Sequence, residues 1–245
     1  MRPLTAAGLL HVWERGQAQR PFERVVTLLA AGLPDHSWEA VAGLAIGQRD
    51  AALFALREQS MGSRLQAFAE CPACKGELAF TLRTEDLRNS ASADGSAGRG
   101  DVSRDGISAS FRLPSSLDFA DLPATSDAPA IRDRLARRCV LDAQRDGRSI
   151  DVSELPPELI DEISDAMARH DPQAEILIHL SCPACDHHWS DLFDIGAFFW
   201  TEITVMAKRL LSDVDALARR YGWREADILA MTPWRRHTYL QLAEK

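Results

Sequence analysis

Apolar residues recur along this chain with two different periods, and the switches between them mark out its parts. In the N-terminal stretch Leu9, Val12 and Trp13, then Phe22, Val25, Val26 and Leu29, stand at helical spacing. Gly32 and Pro34 stop the second run, Ser37 offers an N-cap for the next, and Leu53, Leu56 and Met61 carry the pattern towards Gly62. These signs predict a helical region over residues 1–70. After Cys74 the period falls to two. Leu78, Phe80 and Leu82 alternate with Glu77, Thr81 and Arg83, which predicts a cysteine turn and strand over 71–83.

Residues 84–106 are rich in Ser, Gly, Asp and Ala and offer little to bury, so they read as a flexible linker. Period two returns at Ile107, Ala109, Phe111 and Leu113. Two helices follow within the insertion at 107–175, one with Ile131, Leu135 and Cys139 on a face, the other with Leu159, Ile163 and Met167. The second opens at Pro156-Pro157 and stops at Asp171-Pro172, because a residue before proline is pushed out of the helical region. Ile176, Ile178 and Leu180 then alternate into a second cysteine turn, placed at 176–194.

The longest periodic signal lies in the last part, 195–245. Ile195, Phe199, Ile203, Met206, Leu210, Val214, Leu217 and Tyr221 follow steps of three and four, which predicts one long helix with a single apolar seam. Gly222 suits the left-handed residue that ends such a helix. Two short helices follow, the last opened by Thr232-Pro233. The expected fold class is therefore mainly α with a small β zinc ribbon (α+β): N-terminal helices, a ribbon split by an insertion, and a C-terminal helical hairpin.

Cysteine usage turns this pattern into chemistry. Four of the five cysteines form two identical tetrapeptides, Cys71-Pro-Ala-Cys74 and Cys182-Pro-Ala-Cys185. Each turn sets two thiolates on one side of a tight loop, and two such turns complete a closed tetrahedral site. The expected cofactor is one structural Zn²⁺ bound by Cys71, Cys74, Cys182 and Cys185. Independent thioredoxin-like dithiols are the competing reading, but those place the first cysteine at a helix N-terminus, and here strands flank the pairs. His187 and His188 read as hairpin residues and Cys139 as a buried side chain on an apolar helical face.

Composition excludes several classes. With 46% hydrophobic and 26% charged residues the chain is an ordinary globular one, and no apolar window reaches the ~18 residues of a membrane span. The N-terminus has too short an apolar run for a secretory signal, so a cytoplasmic location is expected. A net charge of −8 argues against nucleic acid as partner. No phosphate loop, nucleophile elbow or His-Glu-x-x-His occurs, so neither catalysis nor a small-molecule substrate is expected. The Thr232-Pro233 break with Arg235 and Arg236 loosely imitates a helix-turn-helix, and a zinc-ribbon transcription regulator is the alternative function.

A set of sequence blocks carries a more specific likeness. These are Cys71-Pro-Ala-Cys74 with its following strand, the run from Arg112 to Phe119, Asp171-Pro-Gln-Ala-Glu175, and Cys182-Pro-Ala-Cys185 with Trp189. Phe193-Asp194-Ile195, Phe199-Trp200-Thr-Glu202, the run from Val214 to Leu229 with Tyr221-Gly222-Trp223, and Arg235-Arg236 with Tyr239-Leu240 complete it. In this order they resemble the T4-family baseplate hub assembly chaperones (T4-like base plate proteins) of contractile-tail phages and bacterial contractile injection systems. Asp215, and the length of the Ser/Gly-rich stretch, depart from that pattern. The resemblance implies a non-enzymatic assembly factor, or a structural component of the baseplate hub. Its expected partners are baseplate, hub or spike proteins, and the resemblance covers both a chaperone that leaves and a component incorporated in the finished particle. The partner surface is expected on the C-terminal hairpin, with Phe198, Trp200, Trp223 and Trp234 as its aromatic anchors.

Overall fold

The computed structural model describes residues 1–88, 98–120, 122 and 127–243. Two hydrophobic cores organise them. The first is helical: α1 (Ala6–Gly16), α2 (Pro21–Gly32), α3 (Trp38–Ala42) and α4 (Ile46–Met61) gather around α8 (Ile195–Tyr221). Leu28, Leu29, Leu53, Phe54, Leu56 and Phe199 fill its centre. Local caps set the helix starts: the Thr5 hydroxyl accepts the Gly8 N–H, Ser37 that of Ala40, and the Asp194 carboxylate that of Ala197.

The second core belongs to the insertion. An antiparallel sheet of β3 (Arg99–Arg104), β4 (Ile107–Arg112), β5 (Val140–Arg145) and β6 (Arg148–Ser149) is covered by α6 (Ala128–Cys139) and α7 (Pro157–His170). Phe111, Cys139, Leu159 and Ile163 are buried between them. Two hairpins of this sheet turn on Asp-Gly, Asp105-Gly106 and Asp146-Gly147, with φ of 50° and 77°, then 49° and 78°. Two successive left-handed residues match the twist of the flanking strands, which is why this dipeptide suits a two-residue loop.

Two further hairpins bear the cysteine turns: β1 (Arg64–Glu70) with β2 (Glu77–Arg83), and β7 (Leu177–Ser181) with β8 (His188–Leu192). The chain ends in α9 (Glu225–Leu229) and α10 (Pro233–Ala243), and Gly222, at φ 69°, stops α8 as expected.

The mainly α architecture with small antiparallel sheets is as expected, and three local readings need correction. Residues 64–70 are strand, not helix: Leu65 and Ala67 are buried on one face, while Phe68 on the outer face disguises the alternation. The stretch 84–106 is not a linker at its two ends. A short helix α5 (Thr84–Leu87) buries Leu87, and β3 pairs along its length with β4; the strand borrows its order from backbone hydrogen bonds. Residues 89–97 of that stretch lie outside the described residues. In α8 the buried seam runs through Ile195, Phe199, Ile203, Ala207, Leu210 and Leu217, while Met206 is exposed. Small Ala207 takes the inner position instead.

The two cores meet along a polar joint. Ala45 bridges to Ser115, the Ile46 N–H donates to the Pro114 carbonyl at 3.1 Å, and Gly47 N–H donates to Asp171 Oδ2 at 2.8 Å. Gln173, 1% exposed, donates through Nε2 to the Leu87 carbonyl. Arg49 reaches across to the Ser116 hydroxyl at 3.0 Å.

Candidate metal centre

Each cysteine tetrapeptide forms the tip of a hairpin, and the two tips are built alike. In the first, Lys75 N–H donates to the Cys71 carbonyl and Cys71 N–H to the Gly76 carbonyl, each at 2.9 Å. In the second, Asp186 and Cys182 repeat both bonds, to Cys182 and His187, at the same distances. The residue after the second cysteine is left-handed in both, Lys75 at φ 62° and Asp186 at φ 54°. Strands hold each tip from either side, so the helix N-terminus that a redox dithiol uses is absent from both.

The insertion returns the second tip to the first. The Cys71 and Cys185 Sγ atoms lie 3.7 Å apart, those of Cys74 and Cys182 3.6 Å, and all four fall within 4.8 Å of one another. Tetrahedral metal–sulfur bonds of about 2.3 Å require sulfurs about 3.8 Å apart, so the spacing fits. All four are free thiols. Cys71 and Cys182 are buried, and Cys74 and Cys185 face outward.

The electrostatics suit a cation. Burial works against a Cys71 thiolate, yet N–H groups of Cys74 and Ala73 and the thiols of Cys185 and Cys182 hold its pKa down to about 7. At Cys185 the His187 N–H favours the thiolate, but hydrogen bonding with Cys74 and burial prevail and push the pKa up to about 12. A cation at the centre of the quartet would favour the thiolate forms that bind it. The four cysteines can hold one metal ion. His187 stacks on Trp189 at 6.0 Å instead of joining the set.

Residues 23–200 match the sequence profile of the family described as T4 bacteriophage base plate protein. The chain belongs to that family. No curated protein and no solved structure gave a match. The matched stretch contains both cysteine tips and the whole insertion, and ends within α8. Among the described residues, no helix is long and apolar enough to cross a membrane.

The blocks that resemble this family prove to be largely joints. Asp118 is 1% exposed and receives Arg112 through two bonds of 2.7 and 2.6 Å, Arg138 at 3.2 Å, and the Ser115 N–H and hydroxyl. Burial would raise its pKa, but the Arg112 and Ser115 hydrogen bonds hold the carboxyl below its ordinary range. Glu202 grips Arg57, whose guanidinium also donates to the Gly62 and Arg64 carbonyls. That cluster fastens α4 and the start of β1 to α8.

The four aromatic residues expected as partner anchors are not brought together. Trp200 packs against the first core beneath Arg24, 5.2 Å from its ring. Phe198 leans on Phe193. Trp223 lies between Tyr221, stacked at 4.5 Å, and the edge of Tyr239. Trp234, 78% exposed, stands apart on α10. The arginine pair expected of a helix-turn-helix is divided as well. Arg236 is buried against Asp213 at 3.1 Å, and Arg235 lies over Tyr239. Periodicity had no means of finding Arg57, Asp118 or Asp171, polar residues whose partners lie on other elements.

Proposed function

We propose that this chain is a non-enzymatic assembly factor or structural component of the baseplate hub of a contractile phage tail or contractile injection system. The family match over residues 23–200 carries the reading. The structure supports it through a framework of joints: one candidate metal site brings two hairpins together, and one partly buried ion pair fastens each core from within. The metal is Zn²⁺, one per chain. A closed four-thiolate site of this kind stabilises the fold and leaves no open coordination position for catalysis. The protein works on baseplate, hub or spike proteins in the cytoplasm of the producing bacterium.

The test is deletion of the gene in the producing cell with complementation by the full chain. The expected outcome is loss of complete contractile particles in electron micrographs, with tubes or sheaths lacking baseplates, and recovery on complementation. Normal particles without the protein would overturn the reading. Baseplates that contain the chain would mark a structural component; absence from purified baseplates would mark a chaperone.

A further inference from the structure

Helix α8 has a second, largely apolar stripe beside its buried seam, of which Phe198 also packs against the first core. Ala197, Phe198, Thr201, Val205 and Met206 recur at steps of one, three and four on the side facing the cysteine hairpins. The first hairpin contributes Phe80, on the same face as buried Ala67, and Phe68 from the other face, and the second contributes Leu192. Together they line an open groove of about 690 Å³. Its walls are unusually bare: Phe68 is 79% exposed, Val205 63% and Leu192 58%. Leu177, directly across the ladder from Leu192, is exposed too and extends the apolar surface. Single exposed apolar residues are ordinary, but a contiguous set rimmed by polar groups marks an interaction surface.

Charge identifies the occupant. The ionisable residues lining the groove are Asp191, Asp194 and Glu202, all carboxylates. Arg57 offsets Glu202 from below, and Asp194 caps α8, while exposed Asp191 accepts the N–H of the residue after it. The chain as a whole carries −8. A helix with an apolar face flanked by Lys or Arg would cover α8's second stripe and neutralise the rim at once.

We propose that this groove, between α8 and the two cysteine hairpins, docks a basic amphipathic helix of a baseplate protein. The inference rests on the assembly reading for the existence of such a partner and names the surface that reading leaves open. Of the expected anchors, Phe198 alone lines it; Trp200 lines the adjoining cavity beyond Leu192.

The experiment titrates the full, metal-loaded chain with two labelled synthetic helical peptides of equal length, one of Leu and Lys, one of Leu and Glu. The Lys peptide should bind at least about tenfold more tightly than the Glu peptide. Phe68→Ser with Val205→Ser should weaken it about tenfold with an unchanged melting temperature, since both side chains are exposed. Asp191→Lys should narrow the preference between the peptides. Equal affinity for both peptides, or binding indifferent to these substitutions, would overturn the proposal. So would a dimer in sedimentation that the Phe68→Ser change dissolves, because the occupant would then be a second copy. In the producing cell, normal particles made with the double variant would sink the groove alone and leave the assembly reading standing.

Discussion

The carboxylate of Asp171 accepts the N–H of Gly47, 124 residues earlier in the chain, at 2.8 Å and so caps the helix that Gly47 opens with Ile46. Helix α4 starts at Ile46 behind an N-cap residue, Ala45, whose side chain cannot cap, and the Pro114 carbonyl takes the N–H of Ile46. Both caps come from the insertion. The first core therefore completes its longest N-terminal helix only when the second core is docked, which makes the two cooperative.

Gly47→Ala tests that coupling. A β-carbon there would sit 1.8 Å from Asp171 Oδ1, so the carboxylate must move and the hydrogen bond break. The expected cost is about 2–3 kcal/mol in denaturant unfolding, from the clash and the lost bond together. A variant as stable as the parent would show that α4 does not depend on this cap.

Asp171 also predicts a pH signature. Burial raises its pKa, against the pull of the Gly47 N–H and Arg49. A carboxyl raised in the folded state costs stability when ionised, and the cost disappears as pH falls through the folded pKa. Asp171→Asn keeps an acceptor for Gly47, so it should melt at or above the parent at pH 7. Its advantage should shrink towards pH 4. An advantage that grows on acidification has the wrong sign.

Asp118 behaves the opposite way. Its pKa is held down by Arg112 and Ser115, so its contribution is present above the ordinary carboxylate value of about 4 and lost as pH falls through the folded pKa. Asp118→Asn should cost about 3 kcal/mol at pH 7, because Arg112 and Arg138 lose their counter-charge, and much less in acid. Melts at the two pH values measure this.

Zinc analysis of protein purified without chelator should return about one metal per chain, and Co²⁺ exchange should give tetrahedral thiolate absorption. Cys182→Ser should lower the melting temperature of both hairpins together, because the site joins residues 108 positions apart, Cys74 and Cys182. Two metals per chain, or none, would contradict a shared site.

At the C-terminus the tryptophans should separate. Trp234→Ala should leave stability within about 0.5 kcal/mol, as for an exposed side chain. Trp223→Ala removes the ring between Tyr221 and Tyr239 and should lower the melting temperature measurably. Equal effects would show that the aromatic cluster is not what anchors α10.

Local information was enough for much of this protein. The 3.5–3.6 residue period announced α8 over its full length, Gly222 its end, and Ser37 and Pro157 the starts of helices, because these depend on neighbours within a turn or two. The paired Cys-Pro-Ala-Cys turns announced a four-thiol site for the same reason: each half is built from consecutive residues. The Asp105-Gly106 and Asp146-Gly147 hairpins went unread, although such a dipeptide favours a two-residue hairpin loop, and β3, β5 and β6 were missed with them.

Tertiary structure decided the rest. Whether Met206 or Ala207 faces the core depends on how closely a neighbouring helix approaches, and a helical period admits both. Whether Trp200, Trp223 and Trp234 form one surface depends on the paths of α1, α9 and α10 around α8. Asp171, Asp118 and Glu202 look like ordinary charged residues along the chain; their partners Gly47, Arg112, Arg138 and Arg57 are supplied by other elements. Periodicity reports which side of an element is apolar, and only the packed chain sets what stands opposite.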